Sequence, residues 1–396
     1  MPEITPAFVY EYERRLRAIT ELEYARRLAS KNIWWNKVAR ALPIEGKTER
    51  ITWLLDTATI EPIGPSGVGE LGFEDLVTQT AEYPVFRHGR GIQVHRDQIE
   101  DLNGTGLDIL AKWSENIGNE TAYYPQRLMT QLILNGANTD GSAAMYDGVP
   151  FFSDNGVTTT TGPHPNNPFN LPAGYYANWL HGAADLSNVK VPGYPGACPI
   201  DPTNAATVDV AYANLQKAIT YIASLKMPNG IDPRFLTPAF ILVPPALTQR
   251  IAQLLDAKFI AQAASSGGGS ADVMAVHEHW GFGTPIIVQE FASSTSYSYK
   301  MPFVVAASGN TSFLPETVTG SDTTYYIVCQ EMQTSKLGGL LYLTRKPFKV
   351  NYYTGDSGGT GMSERLDRMN EFEYHVQGRM STQYGHGYSI FRIDGT

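Results

Sequence analysis

From Leu110 onward apolar residues recur at steps of three and four: Leu110, Trp113, Ile117, Thr121, Tyr124, Leu128 and Leu132. The spacing predicts one helix over 105–135. Thr105-Gly-Leu-Asp108 opens it as a capping box with Asp in place of the usual Glu, and Asn135-Gly136 stops it. At ~1.5 Å per residue such a helix is about 46 Å long, which makes it the spine of a domain. Pro125 must kink it or remove one of its hydrogen bonds. Shortly after the stop, Tyr146-Asp147-Gly148-Val-Pro-Phe151-Phe152 reads as an Asp-Gly turn that swings two adjacent aromatics back towards a core. These residues form a structural corner, and the two phenylalanines are expected to be packing residues, not ligands.

The flanking segments differ in kind. Phe8, Tyr12, Leu16, Ile19 and Leu22 share one face of a helix over 8–31, and Glu11–Arg15, Glu13–Arg17 and Glu23–Arg27 are favourable i,i+4 pairs. Residues 45–97 are β-prone: Ile51-Thr-Trp53-Leu-Leu, then a Gly/Pro-rich tip at 61–72, then strands over 76–86 and 91–96. An extended hairpin of that length cannot cover both its faces with its own chain, which suggests that it lies on a neighbour. Residues 154–204 are rich in Pro, Thr and Gly and read as a long loop region, beyond the ordinary length of a connection. Further on, the pattern predicts a helix over 205–226, a short buried strand Phe240–Val243 and helix over 246–264. A flexible Ser-Ser-Gly-Gly-Gly-Ser loop follows. Strands are expected at 285–291, 302–306, 324–330, 339–344, 346–353, 370–382 and 388–393. No internal repeat is evident.

Composition narrows the class. The 396 residues suffice for two or more domains. Charged residues make up 17 %, against roughly 25 % in an average soluble protein. Burial of the surface against copies of the same chain accounts for that shortage, and so does a loop-rich surface of Ser, Thr and Asn. A net charge of −9 argues against a dedicated nucleic-acid binder but not against a container that meets DNA loosely. Cys198 and Cys329 form neither a disulfide framework nor a metal-ligand spacing, and a reducing compartment fits them best. No apolar run approaches the ~18 residues of a membrane span, and the N-terminus lacks a signal-peptide core, so a soluble, non-secreted protein is expected.

Four motifs invite a chemical reading. Gly355-Asp-Ser357-Gly-Gly359 matches the string around a serine-protease nucleophile, but no His and acid partners accompany it, and a Gly-rich turn is the better reading. Gly67-Val-Gly-Glu-Leu-Gly72 has the dinucleotide spacing without the strand and helix that make it work. His277-Glu-His279 lacks further ligands. Arg87-His-Gly-Arg90, with His95-Arg96, is a small basic patch, read first as a solvated strand pair. No cofactor or metal site and no enzyme activity is expected.

The order of these elements resembles the major head subunit of Mu-like tailed bacteriophages, a family with the HK97 capsid fold. The resemblance is carried by the helix, Gly stop and Tyr146-Asp-Gly-Val-Pro-Phe-Phe152 corner. Val94-His-Arg-Asp-Gln-Ile-Glu-Asp101, Leu242-Val-Pro-Pro-Ala-Leu247 and Tyr384-Gly-His-Gly-Tyr388 add to it. It runs over roughly 8–153 and 205–393. It implies an α+β chain with an N-terminal arm (1–44), an E-loop (45–97), a peripheral domain with the spine helix (98–153), a loop-rich insertion (154–204), an axial domain (205–340) and peripheral return strands (341–396). It implies a major capsid protein that self-assembles into hexamers and pentamers of an icosahedral head around double-stranded DNA. Portal, decoration proteins and a separate scaffold protein are the expected partners, with no membrane. The expected locations are the virion and, during assembly, the host cytoplasm. Candidate subunit-interface residues are Tyr12, Leu16, Trp53, Pro62, Pro65, Gly67, Phe73, Arg87 and Arg90. The absence of Lys between Thr48 and Arg96 predicts no E-loop lysine cross-link. An encapsulin-like compartment, and a hydrolase built on Ser357, are the alternatives.

Overall fold

The computed structural model describes residues 6–30, 33–54, 78–95, 105–139, 143, 145, 149–154, 177–182, 194–226, 234–256, 259–262, 273–276, 285–294, 296–297, 302–304, 311–313, 318–331, 339–353 and 371–395. The N-terminal elements are α1 (Pro6–Leu28), α2 (Trp35–Val38), β1 (Ala39–Pro43), β2 (Thr48–Leu54), β3 (Thr78–Pro84), β4 (Phe86–His95) and α3 (Thr105–Asn135). Next come β5 (Trp179–Leu180), α4 (Val208–Ser224), β6 (Leu236–Val243), α5 (Thr248–Asp256), β7 (Phe259–Gln262), β8 (Val273–Val276) and β9 (Ile286–Ile287). The chain closes with β10 (Ser296–Tyr297), β11 (Pro302–Val304), β12 (Thr311–Phe313), β13 (Val318–Thr319), β14 (Tyr325–Glu331), β15 (Leu340–Tyr353), β16 (Glu371–Tyr384) and β17 (Ile390–Ile393). The class is α+β, as expected.

The chain forms two compact units, each assembled from three stretches: 1–49, 84–129 and 342–383 make the first, and 50–83, 130–341 and 384–396 the second. In the first unit a four-stranded sheet runs β1-β15-β16-β4. β4 and β16 pair antiparallel over ten residues, from Phe86↔Met380 to His95↔Glu371. Side chains alternate across a strand. Tyr374, Val376 and Met380 are therefore buried on one side, which α3 covers through an edge contact of Tyr124 with Phe348 at 5.9 Å. His375, Gln377 and Arg379 point to the other side.

α1 seats on α3 where no side chain intervenes. A Cβ on Gly118 would lie 2.7 Å from the Thr20 carbonyl oxygen, so only glycine permits this approach. The Thr20 hydroxyl donates to Ser114 O at 3.3 Å, and Leu16 is 1 % exposed beside it. Leu22, expected on the same apolar face, lies two residues off this stripe and is 67 % exposed. α3 is continuous from Thr105 to Asn135 across Pro125. The missing proline N–H costs one intrahelical bond, and the helix absorbs it within the unit. Neighbouring Gln126 turns its side-chain carbonyl to the Trp34 backbone N–H at 3.1 Å.

The second unit holds a five-stranded sheet, β5-β17-β14-β6-β9. The central strand β14 is antiparallel to both β17 and β6. Its residues alternate: Tyr325, Ile327 and Cys329 join the core formed with α4 and α5, where Leu215, Ile219, Ile222, Ile251 and Leu254 are buried. Tyr326 faces the opposite side, beside Phe152 and Phe291, with ring centroids at 5.7 and 5.0 Å.

Several expectations change here. The stretch expected to be helical through 264 is helix only to Asp256, and Phe259–Gln262 pairs as a strand with Val273–Val276. The apolar Phe-Ile-Ala run, followed by a Gly/Ser loop and a second apolar run, is a hairpin signal that the helical reading passed over. The buried strand begins at Leu236, four residues early, with Pro238 opposite a bulge between Val328 and Cys329. β1 and α2 were not foreseen. Residues 154–204 are not merely a surface loop: Ala177, Leu180, Cys198 and Ile200 are fully buried, and Trp179–Leu180 forms a parallel edge strand on β17. Residues 384–396 group with the second unit, because β17 pairs with β14.

Candidate functional site: the helix-exit corner and the open sheet face

Two places could carry function: the corner after α3, and the face of the first unit's sheet that points away from α3. The corner is built from the end of the helix. The last four carbonyls of any helix lack intrahelical donors. Here Leu132 O accepts from the Tyr384 hydroxyl at 2.7 Å, Ile133 O from Gly136 N at 3.1 Å and Asn135 O from Asn138 N at 2.9 Å. Gly136 is more than a stop: an added Cβ would lie 2.6 Å from the Phe152 ring. Phe152 N donates back to Gly136 O at 2.7 Å, so ring and backbone close together on the helix end.

Phe151 and Phe152 are both fully buried, as expected of packing residues. Phe151 stacks on Tyr384 at 4.8 Å and meets Phe152 edge-on at 4.9 Å. Tyr146, Asp147 and Gly148 lie outside the described residues, but Met145 N donates to Val149 O at 2.9 Å across them.

Asn178 joins the corner to the rest of the unit, and no local motif marks it. Its amide nitrogen donates to Phe151 O at 2.6 Å and Gly387 O at 2.7 Å, and its side-chain oxygen accepts from Ser153 N at 2.8 Å. Asn178 O accepts from Arg392 N at 2.8 Å. Beside it, the Arg392 Nε donates to Asp394 at 2.9 Å, and the same carboxylate accepts from the Trp179 indole at 2.7 Å and the Thr324 hydroxyl at 2.9 Å. A cleft of about 310 Å³ opens here between Leu134, Asn135, Trp179, Val318 and Arg392. Its one guanidinium is neutralised by Asp394, and no nucleophile with an attendant base lines it. Asp154, fully buried, meets His181 Nε2 at 3.2 Å, and Tyr194 accepts from His181 N at 3.1 Å. Burial pushes the Cys198 thiol up to about 12.

On the side of the first unit's sheet away from α3, Arg87 lies directly opposite Arg379. Arg87 donates to the Gln377 side-chain oxygen, and His375 follows on the same side. Burial and the Arg87 charge both hold the His375 imidazole below its ordinary range. Arg87 and Arg90 are exposed, as interface candidates require. Leu16, by contrast, is used inside its own unit and has no surface to offer. Tyr12 lies in α1 and Trp53 in β2, with side chains outside the described set. Pro62, Pro65, Gly67, Phe73, the 355–359 string and His277-Glu-His279 also lie outside the described residues. Among the described residues, no three His, Cys, Asp or Glu side chains are grouped to hold a metal, and no helix is long and apolar enough to cross a membrane.

Residues 14–180 match the family model described as the Mu-like prophage major head subunit gpT. The match runs on through 154–180, part of the stretch expected to be an addition to the family, and it ends well before the 393 of the expected resemblance. No curated protein matches the chain. Among solved structures, the procapsid of bacteriophage JBD30 is similar at 12 % identity and a TM-score of 0.41, over 99 % of this chain and 76 % of that one. The mature capsid of bacteriophage PhiM1 is similar at 11 % and 0.47, over 92 % and 87 %. A virus-like particle from Pyrococcus furiosus is similar at 10 % and 0.40, over 96 % and 98 %.

Proposed function

We propose that this chain, whose residues 14–180 match the model of the Mu-like prophage major head subunit gpT, is the major capsid protein of a tailed bacteriophage. The family match is the observation that carries the reading. In this reading the fold is HK97-type: α1 belongs to the N-terminal arm, β2 to β4 to the E-loop, α3 is the spine of the peripheral domain, and the second unit contributes the axial domain. Copies associate into hexamers and pentamers that close an icosahedral head around double-stranded DNA. Many weak contacts add up in such a shell. A separate scaffold protein, a portal and decoration proteins are its partners, and it works in the virion after assembling in the host cytoplasm.

The role is structural, not catalytic. The corner supports this: its aromatics and Asn178 spend their polar groups on backbone partners. Ser357→Ala is expected to leave any peptidase signal at background. The purified chain should form hexamers or uniform polyhedral particles in negative-stain micrographs and by light scattering. A chain that stays monomeric at tens of micromolar, with and without a co-expressed scaffold protein, overturns the reading. Genome inside native particles supports a head, whereas a protein cargo alone supports an encapsulin-like compartment.

A further inference from the structure

Asn135 and Gly136 end α3, and their order carries a chemistry that the corner holds off. In an Asn-Gly pair the glycine nitrogen can attack the Asn side-chain amide carbon, because glycine has no Cβ to hinder the approach. The new N–Cγ bond closes a five-membered succinimide ring. The Cγ–Nδ2 bond breaks, and the amide nitrogen leaves as ammonia with the proton that the glycine nitrogen gives up. Water then opens the ring at either carbonyl, giving Asp or isoAsp. The sequence has four such pairs, beginning at Asn103, Asn135, Asn155 and Asn229, and Asn135-Gly136 is the one that lies among the described residues.

Ring closure requires the peptide unit between the two residues to turn, and here both its ends are tied. Asn135 O accepts from Asn138 N at 2.9 Å, and Gly136 N donates to Ile133 O at 3.1 Å. The side-chain amide is fixed as well, since Asn135 Oδ1 accepts from Asn138 Nδ2 at 3.3 Å and the residue is 3 % exposed. Beyond it, Phe152 N holds Gly136 O at 2.7 Å, and the Phe152 ring fills the space beside the glycine. We propose that Asn135-Gly136 is a latent deamidation site gated by this corner: a chain whose corner is closed is spared, and one whose corner stays open converts. The conversion runs one way. IsoAsp adds a methylene to the main chain, so the bonds across the helix end cannot all re-form. Either product also places a carboxylate at the helix C-terminus, where the dipole disfavours an anion. Arg392, in the cleft beside Asn135, already serves Asp394.

Peptide mapping tests this. The full chain is incubated at mildly alkaline pH, folded and in urea, and Asp plus isoAsp at position 135 are followed together with released ammonia. Position 135 should convert roughly a hundredfold slower in the folded chain than in urea, because the reaction waits on a local opening. Phe152→Leu and Asn178→Ala loosen the corner from two sides. Each, held well below its own melting temperature, should raise the folded-state rate about tenfold. Val376→Ala, a loss of buried volume in the first unit, should leave the rate within about twofold of wild type. Asn135→Asp, which carries one of the two products, should melt below wild type. Equal rates in the folded chain and in urea would overturn the gate. Equal acceleration by Val376→Ala would overturn it too, since opening would then be global and the corner would not be its seat. An Asn135→Asp chain as stable as wild type would overturn the one-way conversion. All these readouts are made on the single folded chain, so they stand or fall separately from the capsid reading.

Discussion

Asn178 shows how much one side chain can hold. It satisfies two backbone carbonyls and one backbone N–H, the farthest 209 residues away in sequence. Asn178→Ala removes all three of these bonds in a buried setting. At ~1–3 kcal/mol for each unsatisfied buried group the loss is expected to be several kcal/mol, read as a lower urea midpoint with an unchanged slope. Nothing local marks this residue, because its meaning lies wholly in partners that only the fold brings near. His88 gives a pH-dependent counterpart. Its Nε2 faces Met380 O at 3.1 Å, so that nitrogen carries the proton, and Nδ1 accepts from the Tyr124 hydroxyl at 2.8 Å. Both nitrogens are satisfied in the neutral ring, and burial holds its pKa below the ordinary 6.5. The unfolded chain therefore binds the proton more readily. The His88 contribution is complete above the unfolded value and is lost as pH falls through the folded one. Melting temperatures between pH 7 and pH 5 should fall more steeply for wild type than for His88→Gln; equal slopes would show that His88 does not titrate on unfolding.

At the scale of elements, periodicity served the helices best. The 105–135 helix appears with the predicted bounds because its apolar stripe recurs from Leu110 to Leu132 and a glycine ends it. The Gly stop was legible, but its packing reason was not, since the Phe152 ring arrives from sixteen residues later. Gly136→Ala is expected to cost about 1–3 kcal/mol through overpacking against that ring. Phe152→Ala alone should cost about 3–5 kcal/mol through the lost aromatic volume. The two changes share one contact, so Gly136→Ala in a Phe152→Leu background should cost measurably less than in wild type. Additive losses in the double-mutant cycle would mean that the ring and the glycine are not in conflict. Short strands fared worse. Trp179–Leu180 carries no pattern in two residues, and it is a strand only because β17 offers an edge. Phe259–Gln262 was absorbed into a neighbouring helix for the same reason: four residues do not separate a period of 3.6 from one of 2.

At the scale of the whole molecule, the sequence is short of charge, at 17 %, yet the described cations of one sheet face lack carboxylate partners. Both cysteines are buried, so association by disulfide exchange is not the expected route. These facts are compatible with a chain completed by its own copies. Anything that binds only the folded state stabilises it by mass action, and in a shell the binding species is the protein itself. A tenfold rise in concentration within the assembling range adds up to ~1.4 kcal/mol per copy and per cooperative contact set. For a chain of this size that shift is on the order of 2 °C in melting temperature. Calorimetric scans from below one to tens of micromolar, matched by sedimentation velocity, should show the transition moving upward as the fast-sedimenting species grows. A wild-type transition that stays fixed while particles form would place the association energy in contacts formed equally by unfolded chains, and self-assembly would then not be a source of this protein's stability.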